Sequence, residues 1–136
     1  MTSPARTPAR TVVDAMFAAF DAKDLTAALA TVSEDTLWIH HGSQKMASLR
    51  FEGKSGAEKF FQTSFHAMKI DYFRPLSFIE QGDTIAVLGE ESFTMEGVEG
   101  QLTNKWVQIY TIRDGLIAKM EEFVTSADPA SYMTIR

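Results

Sequence analysis

The chain contains no cysteine. Disulfides and thiolate metal sites are therefore excluded, and a reducing, cytoplasmic setting is the expectation. Histidine is almost as scarce, with three residues. No HxH or HExxH spacing joins them, and neighbouring histidines on a strand diverge, so no metal site is expected. A phosphate-cradling glycine loop and a Gly-x-Ser-x-Gly element are also missing, and no cofactor is implied. Basic charge is in deficit: 13 Lys and Arg stand against 18 Asp and Glu, a net charge of −5. With no basic stripe, nucleic acid is not an expected partner. No apolar run approaches the roughly 20 residues of a membrane-spanning helix, so no membrane partner is expected either.

What is present describes a globular domain. The 136 residues are 45% hydrophobic and 23% charged, enough for one self-sufficient core. Residues 1–9, with Pro4 and Pro8, read as a flexible tail, and residues 10–136 as a single domain. Arg6 and Arg10 precede an apolar stretch broken by Asp14, which reads as entry into a helix and not as a signal peptide.

From Thr11, the residues Val12, Val13, Met16, Phe17 and Phe20 fall at helical spacing. Asp24 is placed to cap a short second helix carrying Leu25, Ala28, Leu29 and Val32, which Ser33-Glu34-Asp35 ends. A β-prone segment follows at residues 36–41. Residues 42–54 read as a loop able to form a lid, and Ser55 as the cap of a third helix with Phe60, Phe61, Phe65 and Met68 on one face. Beyond it the period changes to two. Strands are expected at 70–81, 84–96, 102–113 and 116–125, separated by hairpin turns. Pro75 marks an edge, bend or bulge. Helices segregated to one face of an antiparallel sheet define an α+β fold, here three N-terminal helices on a curved sheet.

The segments DAKDLTAALATVSEDTLW (21–38) and NKWVQIYTIRDGLIAKMEEF (104–123), with this element order, resemble the SnoaL-like, ketosteroid-isomerase-related branch of the nuclear-transport-factor-2-like superfamily. The resemblance covers about residues 10–128. It implies a cone-shaped α+β barrel of the cystatin-like kind with a deep apolar pocket, and a homodimer formed through the outer sheet face. Its functions are diverse, from isomerases, cyclases, dehydratases and epoxide hydrolases to association domains, so it implies a fold before an activity.

Strand alternation nominates pocket residues. On the last strand Leu116, Ala118, Met120, Glu122 and Val124 share a face that is apolar except for Glu122, whereas Ile117, Lys119, Glu121 and Phe123 share the other. A carboxylate among such neighbours is costly when ionised, and desolvation raises its pKa toward the range useful for proton transfer. The similar epoxide hydrolases keep a catalytic aspartate at this position. Glu122 is the first candidate catalytic group, with fixing the structure through a hydrogen bond as the alternative.

The neighbouring strand offers two faces. An Asp114-Gly115 turn would turn Lys105 inward as an ion-pair partner of Glu122. An Arg113-Asp114 turn with a bulge at Gly115 would place Trp106 opposite Glu122, with Asn104, Gln108 and Tyr110 beside it. The second is expected, and it makes Asn104, Trp106, Gln108, Tyr110 and Met120 candidate substrate-binding residues. Trp38 and His40 share a face of the first strand. Trp38 joins the candidate binding residues, and His40 falls where the similar isomerases hold a catalytic aspartate. Met16 stands where those isomerases have a tyrosine, and Lys105 or Asn104 where they have a second acid, so steroid isomerisation is not expected. Glu91 shares a face with Ile85, Val87 and Phe93, but Gly89 reads as a bulge between them, which leaves Glu91 outside the expected site.

The functional expectation is acid–base proton transfer on a small hydrophobic molecule, with His40 and Glu122 as the catalytic pair. A non-catalytic ligand-binding protein and a dimeric association module are the alternatives.

Overall fold

The computed structural model describes residues 6–136. Thr7 caps helix α1 (Pro8–Asp21): its Oγ1 accepts the Arg10 N–H at 3.1 Å, and Pro8 occupies the first turn, where a missing N–H costs nothing. The helix thus takes in part of the segment expected to be a tail, of which only residues 1–5 lie outside the described residues. Asp24 caps α2 (Leu25–Leu29) by accepting the Ala27 N–H at 3.0 Å.

Strand β1 (Val32–His40) begins four residues before the expected start. Ser33-Glu34-Asp35 does not end a helix. Instead the Ser33 hydroxyl donates to Asp35 at 2.9 Å, and the Thr36 hydroxyl donates to the Ile117 carbonyl at 2.8 Å while the Ile117 N–H donates to the Thr31 carbonyl at 2.8 Å, which ties this stretch into the sheet. Residues 42–54 hold a short edge strand, β2 (Leu49–Glu52), paired antiparallel to β1. It is mostly exposed, so no alternation announces it. Helix α3 (Gly53–His66) then starts before Ser55, and Glu52 holds the cap position without a side-chain bond.

Strands β3 (Met68–Gln81), β4 (Thr84–Met95), β5 (Val98–Arg113) and β6 (Leu116–Ser126) run as an antiparallel meander. The six-stranded order is β2-β1-β6-β5-β4-β3. The β1–β6 pairing is parallel, so the sheet is mixed and not wholly antiparallel. A parallel pair needs a long crossover, and here it runs through β2, α3 and the meander. All three helices lie on one face, which makes the fold an α+β cone. Val13, Met16, Trp38, Phe61, Tyr110 and Met120 are buried where helices meet sheet.

Several register shifts interrupt the ladders and curl the sheet, and two of them bear on the site. One sits at Leu76, between the Pro75–Gly89 and Ser77–Leu88 pairs of the β3 edge strand. The other sits at Ala118, between the Thr111–Lys119 and Ile112–Ile117 pairs. The β5–β6 turn is therefore the two-residue Asp114-Gly115 form, both residues at positive φ (53° and 75°), and not the expected Arg113-Asp114 turn. The bulge at Ala118 restores the parity that such a turn would otherwise reverse. Ile117 is buried as a result, although simple alternation puts it outside.

Gly89 lies opposite the Leu76 bulge, but the extra residue is on β3; β4 itself pairs with β5 without a slip through this position, so its alternation is unbroken. The glycine's role is space. Trp106 lies opposite it and stacks on Phe73 with centroids 4.8 Å apart. A Cβ at Gly89 would collide with the indole and come within 2.6 Å of the Arg74 carbonyl oxygen. Gly89→Ala is expected to destabilise the fold by about 1–3 kcal/mol, read from urea denaturation midpoints. An unchanged midpoint would contradict this packing.

Candidate active site

A cavity of about 80 Å³ opens between the helices and the sheet. One water needs roughly 10–15 Å³ measured the same way, so the space suits a small organic molecule. Phe17 and Phe20 from α1, Phe51 from β2, Phe60 from α3 and Phe73 from β3 form an aromatic wall. Met46 in the 42–48 loop and Leu49 in β2 also line it. Gln44 pins that loop to β6: its Oε1 accepts from the Ser126 N–H and hydroxyl at 3.2 Å each.

Polar groups converge from four strands. Parallel pairing sets His40 of β1 beside Glu122 of β6, and antiparallel pairing sets Gln108 of β5 on its other side. Gln108 Nε2 donates to Glu122 Oε2 at 2.6 Å, and the Tyr110 hydroxyl donates to Gln108 Oε1 at 2.5 Å. His40 Nε2 lies 3.4 Å from Glu122 Oε1. The Gly42 N–H donates to His40 Nδ1 at 3.0 Å, which fixes Nε2 as the protonated nitrogen of the neutral ring. On β4, Glu91 lines the same cavity, and its Oε2 accepts from Asn104 Nδ2 at 2.9 Å.

Both carboxyls are raised far above the usual range. Burial, then repulsion from Glu91, pushes Glu122 up to about 8, against the pull of the Gln108 bond. Burial pushes Glu91 up to about 7, against the bond from Asn104. The two titrate as a coupled pair, and the first negative charge formed holds the remaining proton more tightly. Burial, followed by the charge of His41, lowers His40. Burial and the Glu122 charge keep the Tyr110 hydroxyl protonated. Near neutral pH the pocket holds two carboxyls poised to exchange protons and a neutral imidazole.

Among the residues nominated from sequence, Trp38, His40, Gln108, Tyr110 and Glu122 line the cavity. Asn104, Trp106 and Met120 do not. Asn104 is buried behind Glu91; Trp106 fills the space left by Gly89; Met120 is wholly buried, paired to Trp38 and Tyr110 on the flanking strands. Lys105 is exposed on the outer face, paired to Glu90, and never meets Glu122. The residue missed is Glu91. Its shared face with Ile85, Val87 and Phe93 was legible, but Gly89 was read as a break in the alternation.

Comparison with known proteins places the fold. The family profile of the SnoaL-like domain matches residues 13–120. Among curated proteins, none matches the sequence. An NTF2-like protein from Burkholderia xenovorans LB400 is similar at 23% identity, with 90% of this chain and 92% of that one covered and a TM-score of 0.77. TerC, co-crystallized with polyporic acid, is similar at 26% identity over 86% of this chain and 91% of its own, with a TM-score of 0.67. An LEH-like epoxide hydrolase from Mycobacterium tuberculosis shares the fold at 12% identity, 89% and 85% coverage and a TM-score of 0.69.

The raised carboxyls set how stability varies with pH. Folding favours their protonated forms, so their contribution is complete below the unfolded value of 4.5 and lost as pH rises through 7 and 8. His40 acts oppositely: its folded pKa is depressed, so its contribution holds above 6.5 and is lost as pH falls. Two large displacements outweigh one smaller one. The midpoint of thermal unfolding is expected to fall between pH 5 and pH 8, and Glu122→Gln to flatten that slope. A midpoint that rises across this range, or an unaltered slope in the variant, would contradict the assignment.

Proposed function

The chain belongs to the SnoaL-like domain family, and from that premise we propose that its pocket carries out acid–base proton transfer on a small, largely apolar molecule. The observation that carries this reading is Glu122. It is 6% exposed and faces an aromatic cavity, with one oxygen hydrogen-bonded by Gln108 and the other 3.4 Å from His40 Nε2. A carboxyl raised to about 8 keeps its proton at neutral pH yet gives it up at modest cost. Glu122 gives that proton to the ligand; the Gln108 N–H steadies the charge left behind, and the Tyr110 hydroxyl holds the Gln108 amide in that orientation. Glu91, the second carboxyl on the cavity wall, is positioned in its ionised form to take a proton elsewhere on the same ligand. Isomerisation, cyclisation, dehydration and hydration all need such a pair. The likeness to TerC, whose structure holds polyporic acid, supports a pocket open to organic ligands.

The outer face of the sheet supports a homodimer as part of the same proposal. Leu76, Ile79, Leu88 and Phe123 are exposed there, with Phe123 stacked on His41. Scattered exposed residues mean little, but this many on one sheet face mark an association surface.

Solvent-deuterium exchange into a panel of small cyclic ketones and enones, followed by NMR, tests the chemistry. The wild-type protein is expected to accelerate exchange at α-carbons, and folded Glu122→Gln to slow it by about 10²–10⁴-fold. Stabilising ligands with no exchange would favour the non-catalytic binding protein instead. Sedimentation at micromolar concentration tests the dimer, with Phe123→Glu expected to shift it toward monomer; a monomeric wild type would remove that part of the proposal.

A further inference from the structure

The cavity's charges are all of one sign. Among the described residues lining it, the ionisable groups are His40 from β1, Glu91 from β4, Tyr110 from β5 and Glu122 from β6; α1, α3, β2 and β3 contribute none, and no lysine or arginine reaches it. His40 supplies no ready counter-charge, because its Nδ1 already accepts from Gly42 and its burial disfavours protonation. Glu91 has one oxygen on Asn104, and its Oε1 accepts no hydrogen bond from any described residue. That unpartnered oxygen belongs to a side chain 6% exposed that lines the cavity. Aromatic rings form much of the remaining wall, among them Phe17, Phe20, Trp38, Phe60, Phe73 and Tyr110, with methionines filling most of the gaps between them.

Two buried carboxyls without a cation, inside an aromatic enclosure, form the complement of a small organic cation. The aromatic rings attract cationic groups and disfavour none of the alkyl substituents. A carboxylate free on one side supplies the charge that the protein itself leaves uncompensated. We infer that the pocket takes a small apolar amine in its ammonium form, seated against Glu91 and Glu122. This inference rests on the reading of the cavity as a ligand site and specifies its substrate class; it does not need turnover. Binding of the cation displaces a proton from the carboxyl pair into solvent, and nothing else changes covalently.

Choline and 3,3-dimethyl-1-butanol test it. The two have the same shape and differ in a charged nitrogen against a neutral carbon, and neither titrates between pH 6 and 8.5. Isothermal titration of the intact protein at pH 8.5 is expected to show choline binding at least about tenfold more tightly, the scale of one charge interaction of about 1.4 kcal/mol. Choline affinity is expected to weaken by up to about tenfold per pH unit for each proton displaced as pH falls from 8 to 6. The sign is fixed because low pH neutralises the carboxylates that hold the cation. Glu91→Gln is expected to remove most of the preference for choline while the neutral alcohol binds as before. Equal affinity for the two probes, choline affinity that is flat or rises toward pH 6, or binding of neither probe would overturn the inference. If the variant does not fold, the wild-type pH series decides. Choline binding without proton exchange on ketones leaves this inference standing and removes the catalytic reading; exchange without cation preference does the reverse.

Discussion

The 2.6 Å hydrogen bond between Gln108 and Glu122 fixes the pocket. It forms because β5 and β6 are in a register that sets the two residues opposite each other. One residue of slip would take Glu122 off the Gln108 face and put it on the same face as Lys105. The bulge at Ala118 prevents that slip. It compensates for the tight Asp114-Gly115 turn and places Ile117 in the core and Glu122 in the cavity. The parallel β1–β6 pairing then brings His40 to the other side of the carboxyl. Three strands and one bulge therefore determine the environment of a single side chain.

That environment is dry on one side and hydrogen-bonded on the other. Apolar walls withhold the solvation an ionised carboxylate needs, and the donors from Gln108 and Asn104 recover only part of it. The protein tolerates this cost across two strands, in Glu91 as well as Glu122, where an apolar pair would pack as well. Buried groups of this kind are characteristic of sites that handle protons or bind charge. Proton transfer and cation binding use the same property, a carboxyl pair poised between its two forms.

The elements were largely legible in the sequence because apolar spacing survives folding. Val12, Val13 and Met16 gave α1, and Asp24 gave the cap of α2. The face carrying Gln108 and Tyr110 was assigned to the interior, although through a turn the chain does not make. What alternation hid was whatever breaks or needs no alternation. Strand β2 is four residues long and mostly exposed, so it carries no period. The Ala118 bulge has no glycine to announce it. Gly89 does lie opposite a bulge, but the extra residue is on β3 and the glycine itself admits the Trp106 indole; reading a break into the alternation of β4 concealed Glu91. The parallel β1–β6 pairing joins segments about 80 residues apart through backbone bonds such as Ile117 N–H to the Thr31 carbonyl, which no local pattern encodes.

The central claim is that burial holds two carboxyls in the neutral range, and carbon-13 NMR titration of the glutamate side-chain carboxyls tests it most directly. With signals assigned through Glu91→Gln and Glu122→Gln, the account predicts one midpoint at about 7 and another at about 8. Midpoints for both groups near 4.5 would contradict it.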